Sequence, residues 1–212
     1  MQVLFNQIKH CKICFEPITD ISFHNVLSKQ NIICENCFSL FKAKFIHFNI
    51  DTIKCLAIYD YDDNIKNLLF KFKGCYDIEL KDVFLSRYIT YLKTIYKGYF
   101  LVPIPSFFMD DERRGFNHVI EMFSGLNLPM LKIVEKSENH KQAKSKRKDR
   151  IMSKKRFKLT DKKSLKGKKI LIVDDVYTTG SSVHAVIDLI KQLNPRKISV
   201  LVVAKNILKP RK

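Results

Sequence analysis

Residues 53–59, apolar but for Lys54, read as a strand, and apolar side chains then recur at Ile65, Leu68, Leu69 and Phe72, the spacing of one helical face. A strand followed by an amphipathic helix over 63–73 is predicted. Residues 83–96 repeat the helical spacing at Phe84, Tyr88, Tyr91, Leu92 and Ile95, and 99–104 form a short apolar strand closed by Pro103 and Pro105. Residues 131–134 are a further short strand candidate. After 136 the apolar period lapses and returns at Phe157. Residues 169–173 then read as a strand, 181–193 as an amphipathic helix before Pro195, and 197–204 as a last strand. Strand, helix, strand implies a right-handed parallel crossover. The whole pattern predicts an α/β fold, a mostly parallel sheet flanked by helices, whose ligands sit at the C-terminal ends of the strands. No internal repeat is present.

A chain of 212 residues with 46% hydrophobic residues and 16 Phe has enough apolar mass for one domain with an attached module. No apolar run is long enough to span a bilayer, and the N-terminus lacks a signal-peptide layout. The expectation is no membrane insertion and a cytoplasmic place, free or peripheral at the inner membrane.

Charge changes the picture more. The formal net charge is +18, and residues 132–169 carry seventeen basic and four acidic side chains, so that stretch alone supplies +13. Two readings fit: a surface for polyanions, or a solvated lysine-rich loop. Under the first, Lys144, Lys146, Arg147, Lys148, Lys154, Lys155 and Arg156 would contact nucleic acid, with Phe157 offering a ring for stacking. Residues 136–156 are expected to form a mobile basic loop.

Cys11 and Cys14, then Cys34 and Cys37, form two C-x-x-C knuckles separated by nineteen residues. That spacing suits a structural zinc site, in which two tight turns bring four thiolates into a closed tetrahedral shell. A redox pair and an iron–sulfur site are the competing readings, and His10 or His24 could replace one thiolate. Cys55, in an apolar run, and Cys75, after a glycine, read as ordinary cysteines. The expected organisation is a zinc module over 1–48 and an α/β domain over 49–212.

Residues 170–182, Ile-Leu-Ile-Val-Asp-Asp-Val-Tyr-Thr-Thr-Gly-Ser-Ser, run a buried strand into two carboxylates, a loop of small residues and a helix start. Gly180 lets the backbone approach a ligand. The amides of Thr178, Thr179, Gly180, Ser181 and Ser182, with the helix N-terminus, offer donors and positive potential to a phosphate. Asp174 and Asp175 beside such a cradle would repel a phosphate unless they accept hydrogen bonds from sugar hydroxyls or hold a metal. A phosphorylated ribose with Mg2+ meets both conditions. The plainer alternative is a strand ending in an ordinary turn with a Ser or Thr helix cap.

This segment resembles the signature of type I phosphoribosyltransferases, and further blocks resemble the ComF family in order along the chain. They are Tyr59 with residues 65–73; Val102-Pro103-Ile104-Pro105; Arg113-Arg114-Gly115-Phe116-Asn117; and Gln142, Arg150 and Phe157. The four-cysteine module precedes them. His118 stands where the family pattern has Gln, Ser153 where it has Asn, and no Gly-Ala precedes Phe157.

The resemblance implies phosphoribosyl pyrophosphate as ligand. Asp174 and Asp175 would serve as the catalytic carboxylates meeting the ribose hydroxyls, and residues 178–182 would hold the 5-phosphate. The loop after Val102 would hold pyrophosphate and Mg2+, with Arg113 and Arg114 balancing charge or lying as a solvated pair. Two functions follow as expectations. One is a competence protein that handles or imports single-stranded DNA in natural transformation, with other DNA-uptake proteins as partners. The other is an enzyme transferring phosphoribose to a nitrogenous acceptor.

Overall fold

The computed structural model describes residues 9–18, 32–137 and 156–206. Five strands form the main sheet in the order β1 (Ala43–Ile50), β2 (Ile53–Asp60), β7 (Lys197–Lys205), β6 (Lys169–Tyr177) and β3 (Tyr99–Pro103). β1 is antiparallel to β2, and the other neighbours are parallel. The sheet is the mostly parallel α/β arrangement expected. β4 (Val134–Lys136) and β5 (Phe157–Leu159) form a separate antiparallel pair.

Side chains alternate across the sheet, and each strand therefore feeds two cores. Leu56, Ile58, Leu101, Leu171, Val173, Leu201 and Val203 face one side. That side is covered by α2 (Asp63–Gly74), α3 (Ile89–Ile95), α5 (His118–Ser124) and the cysteine module, whose own helix is α1 (Glu35–Ser39). Ala57, Val102, Ile170, Ile172, Val200 and Val202 face the other side, covered by α6 (Ser181–Lys191) through Val183, Val186, Ile187 and Ile190. With both faces covered, the parallel strands read as continuous apolar runs rather than alternating ones.

α2 forms as its spacing predicts. The Asp62 side chain caps it by accepting from the Ile65 amide at 2.9 Å, and Ile65, Leu68, Leu69 and Phe72 are buried while Phe70 faces out. The helix expected over 83–96 is shorter. Two 3₁₀ turns, Ile78–Asp82 and Ser86–Tyr88, precede α3, and the buried Tyr59 hydroxyl donates to the Phe84 carbonyl at 2.9 Å, pinning that turn against the sheet.

β1 takes up residues 43–50, so residue 48, the expected module boundary, falls inside a strand of the sheet. α4 (Phe108–Arg114) and α5 follow β3 in a stretch to which the sequence pattern assigned no element. Lys136 pairs with Phe157 in the β4–β5 ladder, so residues 136 and 157 stand side by side. Lys144, Lys146, Arg147, Lys148, Lys154 and Lys155, with Gln142, Arg150 and His24, lie outside the described residues. Phe157 is buried against Ile133, Leu159 and the α6 side of the core; the expectation that its ring stacks on bases is corrected, because it is a core residue. Among the described residues no helix is long and apolar enough to cross a membrane.

Candidate functional site

The two aspartates lie near the C-terminal end of β6, where an α/β sheet presents its ligand site. Asp174 Oδ1 accepts the Asp175 amide at 2.9 Å, and Asp175 Oδ1 accepts the Val176 amide at 2.6 Å. Asp175 is buried and has two further partners. The Lys73 ammonium, on the last turn of α2, donates to Oδ2, and His118 Nε2 lies 3.3 Å from the same oxygen.

His118 opens a longer chain of polar contacts. Arg114 donates to His118 Nδ1 at 3.0 Å, and since a guanidinium can only donate, Nδ1 accepts and the ring hydrogen sits on Nε2, aimed at Asp175. Arg114 also donates to Asp111 at 3.0 Å and to the Lys73 carbonyl at 2.9 Å. Asp111 in turn accepts from Asn117 at 2.7 Å and from the Ser106 hydroxyl. The Arg-Arg-Gly-Phe-Asn stretch makes this possible locally. Gly115, at φ +81°, stops α4 in the left-handed region, and the Asn117 side chain caps α5 through the Ile120 amide at 3.0 Å. Asp175 is thereby tied to α2, α4 and α5 at once.

The two carboxylates titrate in opposite directions. Burial raises Asp174, and the neighbouring Asp175 charge adds to that. Burial opposes the charge on Asp175 too, but the His118 hydrogen bond and the Lys73 ammonium outweigh it and hold Asp175 below the usual carboxylate range. Like charges this close separate their proton affinities, so as pH rises Asp175 loses its proton before Asp174 does.

Beyond the carboxylates the chain turns through Thr178 and Thr179, both exposed, into Gly180, which caps α6 at φ +74°. A side chain at 180 would be strained by that φ, and its Cβ would collide with the Tyr177 hydroxyl and ring. Tyr177 is fixed in turn by Phe48, 4.9 Å between ring centroids, and by Lys205 over both rings. Among the described residues the amides of Thr178, Thr179 and Gly180 make no hydrogen bond, and the Ser181 amide turns to the Thr179 hydroxyl at 3.4 Å. The loop therefore presents open donors at the N-terminus of an eleven-residue helix, the arrangement that receives a phosphate.

Of the two arginines, Arg114 spends its donors inside the network, and Arg113 is exposed. Arg156 is exposed at the foot of β5, and its carbonyl accepts the Ser137 amide at 2.8 Å. A cleft of about 600 Å³ opens between Pro105, Ser106, Phe108, Asp111 and Asn117 on one side and Glu135, Lys136, Ser137 and Lys158 on the other. Sequence reasoning gave Lys73 and His118 no role beyond their places in the family-like blocks, and it passed over Asp111. Lys73 had a visible signal, as the residue that closes the family-like helix block; Asp111 had none.

The second site is the cysteine module. The sulfurs of Cys11, Cys14, Cys34 and Cys37 all lie within 4.8 Å of one another, none is in a disulfide, and Cys14 Sγ and Cys34 Sγ are 3.7 Å apart. Tetrahedral thiolates at about 2.3 Å from a zinc ion would be separated by about 3.8 Å, so the set fits a metal of that kind. The module is not a separate bead. Cys11, Cys34 and Cys37 share one core with Phe41, Tyr59 and Leu68, and Arg87 pairs with Glu35 while its guanidinium carbon stands 4.1 Å from the centre of the Phe38 ring.

The profile of the phosphoribosyl transferase domain matches residues 112–212. The chain is 34% identical over 130 residues to competence protein ComFC of Bacillus subtilis, covering 60% of this chain and 54% of that one. It is 30% identical over 142 residues to competence protein ComFC of Streptococcus pneumoniae, covering 67% and 64%. The chain thus spans little more than half to just under two thirds of these relatives. Among solved structures, a hypoxanthine phosphoribosyltransferase from Staphylococcus aureus matches with a TM-score of 0.37 and 12% identity, over 63% of this chain and 65% of that one.

Proposed function

The chain belongs to the ComF family and carries a phosphoribosyltransferase domain, and from that premise we propose that it is a competence protein whose site binds phosphoribosyl pyrophosphate in the handling of single-stranded DNA in the cytosol. The observation that carries the ligand is the junction of two unequal carboxylates with a loop of open amides. A phosphate alone would be repelled by Asp175. A ribose 5-phosphate is not, because its hydroxyls donate to Asp174 and Asp175 while its phosphate, on the far side of the sugar, meets the amides and hydroxyls of Thr178, Thr179, Gly180, Ser181 and Ser182.

Asp174 is the residue suited to share Mg2+. It is a hard oxygen donor, and only its Oδ1 is engaged among the described residues. With the pyrophosphate, Mg2+ would supply neutralisation of the leaving charge. Arg113, exposed and outside the polar network, is placed to add a cation, while Arg114 holds Asp175's partner His118 in position. The four thiolates hold a structural zinc, which joins the N-terminal knuckles to the core beside α2.

A second reading rests on the cleft of about 600 Å³ next to Ser106 and Asp111, which leaves room for an acceptor beside the sugar. In it the chain is an enzyme that transfers phosphoribose to a nitrogenous base, chemistry that draws on positioning and electrostatics rather than a nucleophile. Pyrophosphate release from the ligand with Mg2+, measured with a panel of nucleobases and with single-stranded DNA, separates the two. Release that needs a base establishes transfer; binding without release leaves a ligand-responsive competence protein.

A further inference from the structure

Charge collects at a second place, the edge of the sheet where the parallel strands begin. Lys169 and Lys197 lie opposite each other in the pairing of β6 with β7, and both ammonium groups approach the Tyr99 ring, at 5.7 and 5.9 Å from its centre. Lys54 stands on the next strand, paired with Ser199, and so on the same face as Lys197. Lys191, from the end of α6, and Arg196 complete the rim of an open cleft of about 400 Å³ with Lys54 and Lys197. Asp51 lies 3.9 Å from Lys191, and both of those side chains are largely exposed.

Like charges in register on neighbouring strands repel each other, and a shared aromatic face offsets that only in part. Nothing in the phosphoribosyl site uses these side chains. Asp175 is six positions beyond Lys169 along β6, roughly 20 Å at the rise of a strand, and the phosphate loop is farther still. The cations on β2, β7 and β6 stand on strands about 5 Å apart, so they form a row rather than a point, suited to successive phosphates of one strand. A lipid surface fits less well. The cleft is concave, and none of the large exposed apolar side chains of the described residues lines it.

We propose that this strand-start edge, through Lys54, Lys169, Lys191, Arg196 and Lys197, is a binding surface for the phosphodiester backbone of single-stranded nucleic acid, so that nucleic acid and phosphoribosyl pyrophosphate occupy opposite ends of the sheet without competing. The inference rests on the DNA-handling part of the reading above and is independent of its sugar-phosphate part.

The test is fluorescence anisotropy of a labelled oligothymidylate over a salt series, with the full chain and with Lys54→Gln/Lys169→Gln/Lys197→Gln. Loss of three phosphate contacts predicts roughly tenfold or greater weakening at moderate salt and a salt slope reduced by about 2. Stabilisation by phosphoribosyl pyrophosphate and Mg2+ stays unchanged, and that ligand does not displace the oligonucleotide from the intact protein. If the triple variant fails to fold, Lys54→Gln/Lys191→Gln gives the same reading with a slope change of about 1.4. An unchanged slope, with binding lost instead on neutralising Lys144, Lys146, Arg147 and Lys148, overturns the placement. So does displacement by phosphoribosyl pyrophosphate, or a variant that loses binding to phosphatidylglycerol vesicles but keeps the oligonucleotide. No oligonucleotide binding by the intact chain overturns this inference and the DNA-handling reading together, while leaving the sugar-phosphate reading to its own test.

Discussion

Lys73 and Asp175, 102 residues apart in sequence, meet at the tip of β6, where the ammonium ends α2 and the carboxylate opens the phosphate loop. The contact joins the first half of the domain to the chemistry of the second. Together with the His118 hydrogen bond, it holds Asp175 below the usual carboxylate range. Lys73→Met is expected to lower stability by about 1 kcal/mol, a modest figure because the lysine side chain is partly exposed and screened. It is also expected to reduce stabilisation by the sugar phosphate. Urea unfolding at neutral pH, with and without ligand, measures both.

The departure of His118 from the family's Gln has a physical explanation. With its hydrogen on Nε2, the ring offers an acceptor to Arg114 and a donor to Asp175, the same pair that a carboxamide offers. His118→Gln is therefore expected to change stability by less than about 1 kcal/mol and to keep ligand binding. His118→Leu leaves Arg114 and Asp175 each short of a partner in a buried place and is expected to cost about 2–3 kcal/mol. Equal losses in the two variants would contradict the assigned tautomer.

Acid should act on the same contact. Asp175 titrates below its unfolded value, so its contribution to stability is present above about pH 4 and is lost as pH falls toward its folded value. Unfolding free energies measured from pH 7 to 3 should fall less steeply in Lys73→Met/His118→Ala than in the intact protein. Asp174 behaves in the opposite sense. Its value is raised, and donation by ribose hydroxyls favours its charged form, so binding should release a proton and tighten as pH rises through the raised range. Calorimetric titration in buffers of different ionisation enthalpy reads that proton directly.

Gly180→Ala should damage the loop without touching a carboxylate. The positive φ and the Tyr177 hydroxyl both exclude a Cβ, and a cost of about 1–3 kcal/mol is expected, with loss of sugar-phosphate binding. Tyr177→Phe/Gly180→Ala is expected to stay as unstable as Gly180→Ala, because ring carbons of residue 177 also lie 2.5 and 2.8 Å from that Cβ and the strain set by φ persists.

The cysteine module makes a separate demand. One equivalent of zinc per chain is expected by elemental analysis, lost in Cys34→Ser. Because three of the four cysteines sit in the core shared with Tyr59 and Leu68, removing the metal should lower the melting temperature of the whole chain rather than unfold a detached end. A folded, metal-free protein of unchanged stability would contradict this.

Much of this was legible in the sequence where period and motif coincide. The α2 stripe, the β6–α6–β7 crossover and the residues 174–182 stand where the pattern put them, because strands buried on both faces and a capped amphipathic helix leave strong local signals. β1 was missed since its half-exposed face mixes Lys44, His47 and Asn49 with aromatics. α4 and α5 were missed because each has seven residues, about two turns, too short to show a period. The polar chain from Lys73 to Asn117 is a tertiary contact, and no local spacing announces it. Phe157 shows the reverse error, an aromatic beside cations taken as available when the fold buries it.

The central claim is that Asp174, Asp175 and the loop behind them form a sugar-phosphate site, and thermal unfolding with phosphoribosyl pyrophosphate and Mg2+ tests it most directly. At a ligand concentration a hundredfold above its dissociation constant, the intact chain should gain about 2.7 kcal/mol, a rise of several degrees, and Asp174→Asn/Asp175→Asn should gain none. No stabilisation of the intact chain, or equal stabilisation of both, would contradict the account.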